Sequence, residues 1–183
     1  MKVTLKQVPH IGNKIAIDLN RSGVVTMTKG LEAVAAEAEL VVIDDIKREM
    51  ALEEKVHDML EENEEEIEFM LADERQLFFM IKKKLAPEFD VIMSYEERYS
   101  NVAHKVLDNL YEEDLIHFEV TENRIKNIIY DAITGFVADN GEIQDAVYDK
   151  LKSFTRKLIP GTDEYEILYE KFYQEELNKR GMN

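Results

Sequence analysis

Residues 11–28 read IGNKIAIDLNRSGVVTMT, a helical stripe of apolar residues followed by a short β-branched run. The same apolar pattern returns 91 positions later, in residues 102–119, which read VAHKVLDNLYEEDLIHFE. In both segments large apolar residues recur at spacings of three and four, as on one face of an α-helix, before a short apolar run begins. These stretches predict a chain of two related halves, each with one short strand.

The correspondence extends along the chain without a gap. Two units of 91 residues account for 182 of the 183 positions, so we divide the chain into residues 1–91 and 92–183. Further matched apolar positions are Val24/Leu115, Val25/Ile116, Met27/Phe118, Val56/Val147, Leu60/Leu151, Leu77/Leu168, Phe78/Tyr169 and Ile81/Phe172. We expect two tandem, pseudo-symmetric helical units that pack as one body.

Composition restricts the class of protein. A hydrophobic content of 45% argues against disorder, and seven Gly with three Pro are few for an all-β fold. The chain has no cysteine, which excludes disulfides, thiolate metal sites and a cysteine nucleophile. The opening MKVTLKQVPHIGNK lacks an apolar signal core, and no apolar stretch approaches the length of a membrane span. We therefore expect a cytoplasmic protein without membrane contact.

The net charge of −16 restricts the partners. Residues 37–74 alone hold 16 acidic residues against three basic ones. Phosphate groups are bound by Lys and Arg, so direct binding to nucleic acid or anionic lipid is not expected. A basic protein partner fits this charge, and so does a role limited to solubility.

The apolar periodicity predicts mostly helices. In the first half we expect helices over residues 5–21, about 31–50, from 52 into the acidic stretch, and about 73–85. In the second half a capping box at Ser94–Glu97 opens a helix, Thr121 opens another that Asn140-Gly141 breaks, and two more follow. The fold class is mainly α, with about four helices and one short strand per unit.

The two strands need partners, because unpaired buried backbone amides are costly. Each half offers one β-like run, Val24–Thr28 in the first and Leu115–Glu119 in the second. We predict that these runs pair with each other, antiparallel, about a pseudo-two-fold axis.

Several longer segments carry a family resemblance. They are Tyr95–Arg98, Ala103–Asp108, Glu113–Ile116, Leu158–Gly161 and Glu166–Leu177, with Arg75–Ala86 in the first half. They resemble a bacterial family of unknown function, catalogued as domain of unknown function five-hundred-and-seven, present as two tandem copies. The resemblance implies a largely helical cytoplasmic protein and supplies no catalytic residues or cofactor. The first copy departs from the second at Gly12 and Asn13, where the second has Ala103 and His104.

Motifs for catalysis or metal binding are weak in this sequence. Glu54 and His57 have the Glu-x-x-His spacing used twice in di-iron bundles, but the matching place in the second half has Tyr148. We interpret His57 as an exposed histidine on an acidic helix. None of the four serines lies in a nucleophile elbow, and no phosphate-binding glycine loop is present. We expect neither an enzyme nor a cofactor.

Two segments are candidate partner-binding surfaces. The acidic run contains Glu61, Glu62, Glu64 and Glu65 (with Glu66 and Glu68), and is either a solvated face or a dock for a basic protein. Leu77–Ile81 places five apolar residues in a row on a helix, and a helix on a small core buries only one stripe. Phe79 or Met80 should therefore face the other unit, against Leu168, Phe172 and Tyr173, or else a second chain or a partner protein.

The sequence favours a non-catalytic interaction or adaptor protein that binds a partner protein or associates with itself. One alternative is an acidic module that binds and blocks a basic, nucleic-acid-binding protein. A second alternative is a carboxylate-rich metal-binding protein or hydrolase. Two measurements distinguish these three functions. At high salt an adaptor with an apolar contact keeps its partner, whereas an acidic module loses its partner because charges are screened. A metal-binding protein carries stoichiometric metal after purification.

Overall fold

The computed structural model describes residues 3–69, 73–154 and 159–180, without the side chains of Glu66 and Glu68. Leu158, part of a segment that carried the family resemblance, lies outside these residues. The elements are a 3-10 turn Leu5–Gln7, α1 Val8–Arg21, β1 Val25–Met27, α2 Leu31–Glu62, α3 Glu64–Phe69, α4 Glu74–Leu85, a 3-10 turn Ala86–Phe89, α5 Tyr95–Glu112, β2 Ile116–Phe118, α6 Glu122–Lys152 and α7 Asp163–Lys179. The predicted mainly α fold is confirmed.

Local sequence explains several helix ends. Gly23 follows α1 at φ +67°, a left-handed conformation that glycine adopts without steric cost. Asp73 caps α4, its carboxylate accepting hydrogen bonds from the amides of Arg75 and Gln76. Ser94 caps α5 by accepting from the Glu97 amide at 3.5 Å, as the capping-box pattern predicts.

The predicted pairing of the two strands is confirmed. β1 and β2 form an antiparallel sheet in which Val25 pairs with Phe118, Thr26 with His117 and Met27 with Ile116. The Thr28 hydroxyl extends the contact by donating to the Asp114 carbonyl at 2.5 Å. Each strand therefore obtains its backbone partners from the opposite half.

Two predicted helix breaks are wrong. Residues 31–62 form one continuous helix through Met50 and Leu52, and α6 passes through Asn140-Gly141 without interruption. A glycine inside a helix costs about 1 kcal/mol relative to alanine. Burial on both sides of the dipeptide, by Phe136 and Ile143, outweighs that cost. The described residues therefore give α1–α4 in the first half and α5–α7 in the second.

The largest hydrophobic core takes residues from both halves. α1 contributes Ile11, Ile15 and Leu19, and the matched positions Val102, Val106 and Leu110 of α5 lie in the same core. A smaller cluster packs α4 on the C-terminal part of α2, and another packs α7 on the C-terminal part of α6. Within the described parts of the chain, no helix has both the length and the apolarity that crossing a membrane requires.

Candidate binding cleft

A cleft of about 800 Å³ lies between α4 and α7. α4 of the first half and α7 of the second form its walls, and the N-terminal segment (residues 3–7), α1, α2, α5 and α6 complete the lining. A volume of roughly 300–1,000 Å³ is typical of ligand-binding clefts in proteins. We call this feature the α4–α7 cleft.

Large apolar side chains surround the cleft and stay exposed. Leu5 is 40% exposed, Met50 52%, Phe79 58% and Tyr95 45%. These four residues, here called the apolar rim, come from the 3-10 turn, α2, α4 and α5. All four line the same cleft, and apolar residues grouped in this way mark interaction sites more often than scattered ones do.

A buried ionic network supports one side of the cleft. Arg98, only 2% exposed, donates from Nε to Asp45 Oδ2 at 2.8 Å and from Nη1 to Glu49 Oε2 at 2.7 Å. Lys82 donates from Nζ to Glu49 at 2.9 Å and to Glu53 at 2.5 Å. Burial disfavours the charged forms of Arg98 and Lys82, but their carboxylate partners outweigh burial and raise both pKa values.

The carboxylate of Glu49 lies at the centre of this network. Burial acts to raise the pKa of Glu49, but hydrogen bonds and positive charges, those of Lys82 and Arg98 among them, lower it to about 2. Glu49 is therefore ionised at neutral pH. The network joins α5 of the second half to α2 and α4 of the first.

A second buried network, without charge, supports the other side. Gln7 donates from Nε2 to Asn140 Oδ1 and to the Tyr173 hydroxyl, both at 3.0 Å. The Tyr173 hydroxyl donates in turn to Asn140 Oδ1 at 2.6 Å. All three residues are buried, and burial raises the pKa of Tyr173. This network joins the N-terminal segment of the first half to α6 and α7 of the second.

The two networks occupy matched positions of the two halves. Adding 91 to the numbers of Gln7, Glu49 and Lys82 gives Arg98, Asn140 and Tyr173. The cleft lining is matched in the same way, in the pairs Thr4/Tyr95, Glu53/Gln144, Phe78/Tyr169, Phe79/Glu170 and Lys82/Tyr173. The cleft therefore takes its lining from both halves, in part from positions that are 91 residues apart.

The predicted apolar surface residues lie on α4. Phe79 lines the cleft, and Met80 is 67% exposed outside the lining. The prediction that they pack against Leu168, Phe172 and Tyr173 is wrong. Leu77, Phe78 and Ile81 belong to one apolar cluster and the α7 residues to another, with the cleft between the two.

The predicted acidic surface lies elsewhere. Glu61 and Glu62 end α2, Glu64 and Glu65 begin α3, and all four are exposed. Glu61 and Glu64 line a smaller hollow of about 390 Å³ together with His57. The structure therefore does not bring the acidic surface and Phe79 into one site.

His57 shows no metal-binding environment. Its ring contacts that of Phe78, with centroids 5.0 Å apart. Across residues 3–69, 73–154 and 159–180, no group of three or more His, Asp or Glu side chains is arranged to hold a metal ion.

Neither buried network was predicted from the sequence. The spacing of two polar residues indicates them, because Gln7 precedes the apolar Ile11 by four residues and Arg98 precedes the apolar Val102 by four. Each polar residue extends an apolar helical row, which places it at the edge of the core. A long polar side chain in that position needs a buried partner, and the partner is supplied by the other half.

The shared core and the α4–α7 cleft define a mainly α-helical protein whose two halves enclose an open cleft. The family model described as Protein of unknown function (DUF507) matches residues 1–182, so the chain belongs to this family. No curated protein matches the chain significantly. The family match is one span over almost the whole chain, and two tandem copies stay a prediction.

Proposed function

We propose that this chain is a non-catalytic cytoplasmic adaptor that binds a partner protein in the α4–α7 cleft. The observation that carries the proposal is the apolar rim. Burying one such side chain contributes about 1.5–3 kcal/mol, so leaving four exposed around a single opening forgoes a substantial gain in stability. A partner that covers the rim recovers it.

One charged group of the lining is held in place. Lys82 donates to Glu49 and Glu53, and Glu49 is held in turn by Arg98, which lies outside the lining. A catalytic base or nucleophile needs a free position facing the substrate, so we assign Lys82 a structural role. A fixed side chain also favours affinity, because little side-chain entropy is lost on binding.

We also infer that the chain is an internal duplication with a pseudo-two-fold axis. Thr26 and His117, which are 91 positions apart, are partners in the strand pair, as expected for residues beside such an axis. The matched buried networks support the same inference, and so do the similar lengths of α2 (32 residues) and α6 (31 residues). The α4–α7 cleft would then lie across the axis.

One observation supports the alternative of an acidic module that binds and blocks a basic protein. Glu61, Glu62, Glu64 and Glu65 are exposed at the junction of α2 and α3, where a basic protein could reach them. Binding there would depend on charge alone and would weaken steeply with salt. Binding at the apolar rim would persist.

The test is a pull-down from the native host with nuclease present, using the tagged wild-type chain and two variants. Phe79→Ala removes an apolar-rim side chain, and Leu40→Ala removes a comparably exposed side chain of α2 that does not line the cleft. We expect one stoichiometric partner that Phe79→Ala loses and Leu40→Ala keeps, at both low and high salt. A partner retained by Phe79→Ala, or no partner at all, contradicts the proposal.

A further inference from the structure

The two walls of the α4–α7 cleft differ in chemistry. The α4 wall presents the rings of Phe78 and Phe79, while the α7 wall presents the exposed carboxylates of Glu166 and Glu170 beside the rings of Tyr169 and Tyr173. Phe79 and Glu170 occupy matched positions of the two halves, so an aromatic ring on one wall corresponds to a negative charge on the other.

The charge of the α7 wall reaches the interior of the cleft. Burial lowers the pKa of His10, which also lines the cleft, and Glu170 acts in the opposite direction through its negative charge. The lining as a whole holds four carboxylates and two lysines besides His10. Of the lysines, Lys82 is already neutralised by Glu49 and Glu53. The lining therefore carries more negative than positive charge, and two of its four carboxylates, Glu166 and Glu170, belong to α7.

We propose that the cleft binds a basic amphipathic helix of the partner protein. The apolar face of this helix would cover Phe79 and Met50, and its lysines or arginines would lie against Glu166 and Glu170. The inference rests on the proposed function and specifies the partner. Amphipathic helices commonly bind in apolar grooves, and charge complementarity fixes their orientation and partner choice. The net charge of −16 would also accelerate the encounter with a cationic partner.

The first experiment measures binding of a fluorescent peptide of Leu and Lys at helical spacing, about four turns long, to the full chain by anisotropy. The control peptides are a scrambled version without an apolar face and a version with Glu in place of Lys. The protein variants are Glu166→Lys with Glu170→Lys, and a matched pair with the same net charge, Glu61→Lys with Glu62→Lys.

We expect the amphipathic Lys peptide to bind wild type at least about tenfold tighter than the scrambled peptide. Reversing the charges of Glu166 and Glu170 should lower the affinity for the Lys peptide by about tenfold or more and raise the affinity for the Glu peptide. The Glu61 and Glu62 pair should change affinity by less than about threefold, because only long-range attraction is reduced. Equal binding of the scrambled peptide, or equal effects of the two charge reversals, overturns the inference.

The second experiment separates this inference from the proposed function. A photoreactive benzoylphenylalanine in place of Phe79 is cross-linked in the native host, and the attached segment is mapped by mass spectrometry. A basic amphipathic segment of a second protein supports the inference. A neutral, acidic or extended segment, or a second copy of this chain, overturns the inference and leaves an interaction at the cleft. The absence of any protein cross-link overturns the proposed function as well.

Discussion

Arg98 and Asp45 form a buried ion pair across the two halves of the chain, with Nη2 of Arg98 2.8 Å from Oδ2 of Asp45. The guanidinium also donates to the backbone carbonyl of Asp45 at 3.1 Å. Both side chains are less than one-tenth exposed. The first turn of α5 is therefore fixed to the middle of α2, and the α4–α7 cleft lies beside this joint.

Replacing Arg98 with alanine should strongly destabilise the protein. The substitution leaves the carboxylates of Asp45 and Glu49 without their guanidinium partner, and breaking a buried ion pair from one side costs about 3–5 kcal/mol. Urea unfolding followed by circular dichroism measures the change. Arg124→Ala, on the exposed start of α6, is the matched control and should cost less than about 0.5 kcal/mol. Equal effects of the two substitutions would refute a structural role for the network.

The ionic network should also make stability depend on pH. The pKa of Glu49 is lowered in the folded protein from 4.5 to about 2. A group with a depressed pKa stabilises the folded state above its unfolded pKa, and this contribution disappears as the pH falls through the folded pKa. Glu49 therefore contributes to a loss of stability between pH 4.5 and about 2.

Glu49→Gln should lower the unfolding free energy at pH 7 and reduce its fall on acidification through that window. The measurement is a series of urea unfolding curves at closely spaced pH values for both proteins. Parallel curves of stability against pH for wild type and Glu49→Gln would show that the ionisation of Glu49 is not coupled to folding.

The strand pair shows how far the sequence leads to the fold. Two short β-like runs lie 91 positions apart, and neither has a partner strand within its own half. This was sufficient to predict that β1 and β2 pair in antiparallel orientation. The lengths of α2 and α6 were not predictable in the same way. Asn140-Gly141 reads as a break locally, but Asn140 is held by Gln7 and Tyr173, and tertiary packing overrides local propensity.

The candidate site was less accessible from sequence than the fold. The run Leu77–Ile81 indicated that an apolar side chain of α4 faces away from its own core, and Phe79 is exposed at the cleft. Which element lies opposite depends on how the two halves pack, and periodicity within one helix carries no information on that packing. The apolar rim illustrates this, because Leu5 and Tyr95 are far apart in sequence and approach only in the folded chain.

The uncharged network gives a third, smaller prediction. Tyr173→Phe removes one hydroxyl that accepts from Gln7 and donates to Asn140, while the direct bond from Gln7 to Asn140 remains. A typical hydrogen bond contributes about 1 kcal/mol, so we expect a loss of about 1–2 kcal/mol in urea unfolding. Tyr148→Phe, at a residue 44% exposed on α6, should be close to neutral. A neutral Tyr173→Phe would mean that the buried network adds nothing to stability.

Two helical glycines should respond to alanine in opposite directions. At Gly12 of α1, an added Cβ would lie 2.5 Å from Glu39 Cγ and 2.7 Å from the Ala35 carbonyl oxygen, so α1 and α2 would have to separate. Overpacking of this kind typically costs about 1–3 kcal/mol. At Gly141 of α6, nothing lies within 4 Å of the added carbon, and alanine should stabilise the helix by about 0.5–1 kcal/mol. The urea unfolding midpoints of the two variants and of wild type show whether stability falls at Gly12 and rises at Gly141. A stabilising Gly12→Ala would show that α1 and α2 do not approach as closely as this packing requires.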